Sequence, residues 1–297
     1  MLLTIITFTS FAVLIRIVAN PLTNVFQKQL TERSADPLFI ISITYGFLTL
    51  ACLAMWPQLQ VSGLPVVFWQ CMLITGLLSM LGNVFLVKAL RIGNLSVLGP
   101  INAYKSVAGL IIGIFLLNEI PGWWGLIGVL LIIGGSYVVL SDKQQRNNFS
   151  WAVFRRPEVK LRLLALVFSA VDGAFLKKAI LLSTPGLAFF YWCLFGFVFT
   201  FIWIMFVMRK QWRTQMNLLV THKFTFVALF AAVGINQMAS NIALAHIPVG
   251  YALALFQTSA LISVLFGYQF FNEQGIVRKL IGAGIMVTGA ILITILG

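Results

Sequence analysis

Ten apolar stretches, each close to the length that crosses a bilayer, dominate this chain: 3–30, 37–56, 64–88, 95–117 and 122–140, then 161–182, 186–208, 223–244, 248–271 and 276–296. About 20 residues of helix cover the hydrocarbon layer of a membrane. Lipid offers the backbone no hydrogen-bonding partner, so runs of this length are helices, whose N–H and C=O groups are satisfied within the segment. Only 9% of the residues are charged, against roughly 25% in soluble domains. The expected fold class is an all-α membrane protein with about ten transmembrane helices. The apolar opening MLLTIITFTSFAVLI lacks a positive leading region and a small-residue cleavage site, so it reads as the first span and not as a removed signal peptide.

The connections are short apart from Ser141–Lys160 (SDKQQRNNFSWAVFRRPEVK), a basic polar linker. It divides the chain into a five-helix repeat over 1–140 and a second over 161–297. A shift of 154 residues places Ala89-Leu90 on Ala243-Leu244, Gly113 on Gly267, Asn118-Glu119 on Asn272-Glu273, Leu126-Ile127-Gly128 on Leu280-Ile281-Gly282, and Gly135 on Gly289. A shift of 149 places Phe26 and Lys28 on Phe175 and Lys177. With an odd number of spans each, the halves enter the membrane in opposite directions. Inverted repeats of this kind are a signature of alternating-access carriers.

The net charge of +13 would suggest nucleic acid in a soluble protein, but here the basic residues sit between spans without an aromatic-basic stripe, so no nucleic-acid partner is expected. The connections after spans 1, 3, 5, 7 and 9, with adjoining helix ends, carry Lys28, Arg33, Lys88, Arg91, Lys143, Arg146, Arg155, Arg156, Lys160, Arg162, Arg209, Lys210, Arg213, Lys223, Arg278 and Lys279. The other connections carry none, Lys177 and Lys178 near the end of span 6 aside. Basic residues stay on the cytoplasmic side. The linker 141–160 is therefore expected in the cytoplasm of a multi-pass cell (inner) membrane protein, with both termini outside. Cys52, Cys71 and Cys193 lie within apolar runs, and His222 and His246 are far apart; neither set has metal-ligand spacing, and no cofactor is expected.

The run Gly99-Pro100…Ile112-Gly113…Leu117-Asn118-Glu119-Ile120-Pro121, followed by a Gly-rich span, and its counterpart Gly267…Phe271-Asn272-Glu273 with Gly282, Gly284 and Gly289, resemble the drug/metabolite transporter superfamily, specifically its EamA-type ten-helix members. Asn118 and Asn272 stand where the family pattern has Gly before Glu, and Lys105-Ser106 stand where many members carry Glu-Pro or apolar residues. The resemblance implies secondary transport of a small-molecule substrate through a cavity lined by spans 1, 3, 4, 6, 8 and 9. Export of amino acids or amphipathic drugs, as in other members, is the alternative within transport. A membrane-embedded enzyme acting on lipid-linked substrate would need an acid–base or metal cluster that one central carboxylate and two scattered histidines do not supply. A non-transporting adaptor or sensor would be expected to carry an appended soluble domain, for which the linker is the sole candidate. No P-loop is present to hydrolyse ATP.

Ionisable side chains deep in a span mark function by default. Lys105, mid-span 4, is the leading candidate to bind a substrate anion, beside Asn102 and Tyr104. Asp172, mid-span 6, is the candidate proton carrier, or else a partner for Lys105 or Arg16. Arg16 lies a turn before Asn20-Pro21, where Pro21 is expected to break a hydrogen bond and kink the helix. Asn83, Gln237, Asn241, Tyr251, Gln257 and Thr258 are candidate lining groups, and Lys28 and Lys177 either snorkel to the interface or reach the cavity. Glu119 and Glu273 end their helices and are expected to order the turns there. Partners are the lipid bilayer, a small solute and protons, with monomer and homodimer both open.

Known members of the resembled family are described with cytoplasmic termini, whereas the charge distribution places both outside. A C-terminal reporter active on one side only separates the two. External signal is expected, and a cytoplasmic C-terminus refutes this orientation.

Overall fold

The computed structural model describes residues 2–54, 63–105, 107–108, 122–140, 155–207, 211–246, 252 and 255–296. Among these the regular elements are helices: α1 Leu2–Glu32, α2 Pro37–Leu53, α3 Val66–Ile92, α4 Leu95–Ile101, α5 Trp123–Leu140, α6 Pro157–Leu181, α7 Pro185–Val207, α8 Trp212–Thr221, α9 Lys223–His246, α10 Ser259–Phe271 and α11 Ile276–Leu296. Five are long and apolar enough to cross a membrane, within Thr9–Glu32, Val66–Ile92, Pro185–Val207, Lys223–His246 and Ile276–Ile293, with shorter apolar helices at Pro37–Leu53, Trp123–Val139 and Leu255–Phe271. The core is apolar, but many large apolar side chains also face outward and several polar ones are buried. Phe206, Phe224 and Trp123 are more than 80% exposed, while Thr75, Ser96 and Asn241 are wholly buried.

Pro21 lies inside α1, which continues through it to Glu32 as the expected span 3–30 does. Two local features depart from what periodicity alone suggests. The connection after span 7 holds an additional helix, α8, seated by Trp212 edge-on against Phe39 at 5.6 Å and by Gln215, which accepts from the Asp36 amide at 2.9 Å. Spans 4 and 9 are interrupted within the membrane. After α4, Asn102, Ala103 and Lys105 donate their amides to Gly99, Pro100 and Asn102 at 3.1, 2.9 and 3.0 Å. Before and into α10, Thr258 donates to Leu255 and Leu261 to Thr258. These three-residue spacings are the tight winding that marks mid-helix breaks at functional positions.

The packing has the pairing a two-fold relation between halves requires. The first repeat is α1 to α5, and α6, α7, α9, α10 and α11 correspond to it in order. Contacts concentrate in α5 with α11, α3 with α6, α1 with α9, α2 with α7, and α4 with α10. Exchanging the halves turns the α3–α6 contact into α9–α1 and maps the other three pairs onto themselves. The α5–α11 contact repeats this at residue level. A Cβ on Gly128 would stand 2.6 Å from the Gly289 carbonyl, and one on Gly135 would stand 2.7 Å from that of Gly282. The 154-residue shift maps Gly128 to Gly282 and Gly135 to Gly289, so each of these crossings is the image of the other.

Gly134, one residue from Gly135, would meet nothing within 4 Å. Gly128→Ala is therefore expected to cost about 1–3 kcal/mol by overpacking, whereas Gly134→Ala leaves stability unchanged or raises it through helix propensity. Thermal unfolding of both variants in detergent checks this; equal midpoints would show that the glycine crossing does not set the α5–α11 distance.

Candidate functional site

A cavity of about 180 Å³ lies between the halves. From the first repeat it takes Arg16, Asn20, Thr23, Asn24 and Gln27 of α1, Thr44 and Tyr45 of α2, Ser79 and Asn83 of α3, and Asn102 and Lys105 at the break in span 4. From the second it takes Arg162, Ser169, Asp172 and Gly173 of α6, Trp192 of α7, Asn236, Gln237 and Ser240 of α9, and Phe256 before the break in span 9. Spans 1, 3, 4, 6, 8 and 9 line it, as the resemblance implies, and α2 and α7 contribute as well. On α6 the polar positions 162, 169 and 172 recur at helical period, placing Arg162, Ser169 and Asp172 on one face.

Each cavity ion is held by the protein through part of its hydrogen-bonding capacity. Lys105 Nζ donates to Ser169 Oγ at 3.0 Å. Arg16 lies over the Phe256 ring, 4.0 Å from its centroid, and donates to the Phe256 carbonyl at 3.4 Å. Arg162 donates through Nε to the Leu98 carbonyl at 3.1 Å and through Nη2 to Asn102 Oδ1 at 3.2 Å. Asp172 Oδ2 accepts from Ser79 Oγ at 2.8 Å, and the same hydroxyl accepts from Trp192 Nε1 at 2.7 Å. Asp172 forms no salt bridge with Lys105 or Arg16, the partners offered as the alternative to a proton-carrying role; the two salt bridges found among the described residues are both at Glu273.

The other sequence candidates divide. Asn83 lines the cavity and donates to the Tyr45 hydroxyl at 2.9 Å. Gln237 lines it too, donating to Asn241 Oδ1 at 3.0 Å. Asn241 is itself a packing group, buried and donating to the Pro185 carbonyl at 3.0 Å. Gln257, also buried, accepts from Asn102 Nδ2 at 3.2 Å and so joins the two breaks. Tyr104 turns toward α5, where its hydroxyl shares a 2.7 Å hydrogen bond with Ser136. Thr258 closes the turn it belongs to by donating to the Leu255 carbonyl at 2.6 Å. Tyr251, Ser106 and Glu119 lie outside the described residues. Lys177 donates to the Leu244 carbonyl.

Lys28 is a correction. It neither snorkels nor reaches the cavity; it is 6% exposed and donates to Glu273 Oε1 at 3.0 Å and the Gly93 carbonyl at 3.1 Å, with its ammonium 4.4 Å from the Phe271 ring centroid. Glu273 also accepts from the amides of Leu95 and Ser96 at 2.7 and 2.9 Å and from the Ser96 hydroxyl, with Lys279 at 3.8 Å. This carboxylate ties α1 and the start of α4 to the α10–α11 turn. Left-handed Asn272 (φ 50°) shapes that turn, and Gly267 leaves the needed room, since a Cβ there would stand 2.8 Å from Glu273. Arg162 is a second correction, counted from sequence among cytoplasmic charges but buried at the cavity wall. Its signal was its register with Asp172 along α6. Likewise Asn236 lines the cavity in place of Asn241.

Two inverted repeats of apolar helices enclosing a polar cavity define a multi-pass membrane transporter of small molecules. The chain belongs to the EamA-like transporter family, whose model matches residues 7–141 and 157–295. Members of that family are transporters rather than enzymes. Among solved structures 28 chains match. One of them, described as "Crystal structure of protein", is 17% identical over 95% of this chain and 96% of its own, with a TM-score of 0.65, and shows that the fold is shared. No curated protein matches the chain.

The Glu273 cluster yields a stability test. Burial pushes this carboxyl up, but the Ser96 hydroxyl and amide and the Lys28 ammonium outweigh it, and the group sits below its ordinary range. A depressed carboxyl stabilises the fold above its unfolded pKa, and that stability is lost as pH falls through the folded value. Lys28→Met, which leaves Glu273 buried with less compensation, is expected to cost about 3–5 kcal/mol. Glu273→Gln should lack the acid-dependent part of the unfolding midpoint. A pH series of thermal unfolding checks both; wild-type stability in Lys28→Met would make the pair dispensable.

Proposed function

We propose that this protein is a secondary transporter that moves a small polar, anionic metabolite across the cell (inner) membrane by alternating access. The halves 1–140 and 161–297, joined by the cytoplasmic linker 141–160, rock about the cavity, exposing it to one side and then the other. The observation carrying the anionic preference is the charge of the cavity wall. Arg16, Lys105 and Arg162 face a single carboxylate, Asp172, and none of them is in a salt bridge among the described residues. Cations in a low-dielectric wall need an anion near them, and a transported anion meets that need. Lys105 is the primary contact because its compact ammonium, with three protons to donate, gives one hydrogen bond to the protein, to Ser169. Asp172, which accepts from Ser79, is the proton carrier; adding or removing its proton changes the cavity charge by one and so couples a proton to substrate binding. Export of amino acids or amphipathic drugs fits this wall less well, since cationic or neutral solutes would leave the excess positive charge in place.

Purified protein in vesicles, offered a panel of anionic metabolites, tests this reading. Lys105→Gln is expected to weaken binding by roughly 1.5–3 kcal/mol, the usual worth of a charge-assisted hydrogen bond, with thermal stability preserved. Asp172→Asn is expected to abolish proton-driven accumulation and leave substrate exchange largely intact. Normal binding with early melting in Lys105→Gln makes that lysine structural and removes the anionic reading. Unchanged accumulation in Asp172→Asn reduces the carboxylate to a structural role.

A further inference from the structure

Arg162 changes the charge count on which the anionic reading rests. Arg16 and Lys105 against Asp172 would leave one positive charge for the substrate to cancel. With Arg162 on the same wall the excess is two. The three cations are within electrostatic reach of one another, and Lys105 is within reach of Asp172, so the cavity presents one positive field and not three separate sites.

The protein also holds these cations in place before any solute arrives, and it does so at the breaks in spans 4 and 9. Arg162 is pinned to the Leu98 carbonyl and to Asn102, at the span 4 break. Arg16 is pinned to the carbonyl and ring of Phe256, just ahead of the span 9 break. Lys105 is part of the span 4 turn, its amide donating to Asn102 at 3.0 Å. Asn102 and Gln257 join the two breaks at 3.2 Å. Arg162 bonds the protein through Nε and Nη2, so Nη1 is the guanidinium nitrogen offered to a ligand. A planar, fixed guanidinium of this kind suits an anionic oxygen-rich group.

We propose that the solute is a doubly charged organic anion, a dicarboxylate or a phosphate monoester, and that Arg162 is a substrate-contacting residue that sets this charge preference. The inference rests on the anionic reading above and deepens it. With Asp172 ionised, a monoanion in the cavity leaves one positive charge uncancelled when the site closes and a dianion leaves none; with Asp172 carrying its proton each leaves one more, and the dianion is still the better match. Two monoanions could cancel the same charge, but they have to share about 180 Å³ at the cost of their mutual repulsion.

The test compares solutes matched in shape and differing by one charge, using the full-length protein in vesicles or detergent. Succinate is paired with its monoamide, and glycerol phosphate with its methyl ester. In the wild type the dianion of at least one pair is expected to bind about tenfold or more tighter than its partner, as expected for one further charge-assisted contact; which pair shows it separates carboxylate from phosphate chemistry. In Arg162→Gln the ratio should fall toward one, mainly through loss of dianion affinity. A purely structural role for Arg162 would weaken both members equally. Asp172→Asn moves the cavity charge the other way and should raise the ratio, which keeps the test decisive if Arg162→Gln does not fold. Equal binding within both pairs, with Lys105→Gln still weakening each, overturns the dianion inference and leaves the anionic transporter standing. Failure of every anion to bind removes both.

Discussion

Backbone groups inside a bilayer have no water to turn to, and every other feature of this protein follows from that constraint. It forces each span into a helix, and it makes any departure from helical hydrogen bonding expensive unless the departure is buried in protein or lines a cavity. The structure departs in two spans, at Asn102–Ala103 and at Thr258, and tightens the local bonding there to three-residue spacing. Both breaks sit beside the polar cavity, where side chains can stabilise them. Asn102 takes Arg162 and Gln257, and Phe256 takes Arg16. Cavity cations and irregular backbone therefore share one solution, since acceptors at and beside the breaks hold the arginines.

Symmetry explains the frame and fails in the site. The glycine crossings of α5 and α11 exchange under the repeat. So do Lys28 and Lys177, each donating to a carbonyl at or just beyond the end of the third long helix of its half, at Gly93 and Leu244. The cavity ions have no such images. The 149-residue shift places Thr23 on Asp172 and Ala165 on Arg16, and the 154-residue shift places Ser259 on Lys105. The duplicated frame therefore carries a single, unduplicated charge arrangement, as the proposed alternating access of one solute to one site requires.

The frame was legible in the sequence because hydrophobic length and glycine register are local signals. The expected spans 122–140 and 276–296 return almost to the residue as Trp123–Leu140 and Ile276–Leu296, and Arg16, Asn83, Asn102, Lys105, Asp172 and Gln237 do meet at one cavity. What sequence could not resolve was azimuth. Lys28 and Arg162 both looked like residues near a helix end, yet one is consumed by Glu273 and the other stands on the cavity wall. Tyr104 neighbours Lys105 in sequence, but helical rotation carries it to Ser136 on the far side. Asn241, expected to line the cavity, packs against the Pro185 carbonyl for the same reason, while Asn236 lines it. The register of Arg162 with Ser169 and Asp172 was the readable clue, and it points inward only once the inward face of α6 is known.

Lys28 and the cavity cations show how burial separates structural charge from functional charge. Glu273 accepts two backbone amides, a hydroxyl and an ammonium, with a second lysine close by. A carboxylate so fully satisfied has nothing left for a ligand, and its burial is tolerated because the protein itself supplies every partner. The cavity is built the other way. Its three cations are fixed by neutral acceptors, carbonyls, an amide and a hydroxyl, which orient a positive charge without cancelling it. At the end of α10 a carboxylate meets ammonium groups directly, whereas at the centre one carboxylate, Asp172, stands against three cations. On the proposed function, a transported anion is what supplies the missing negative charge.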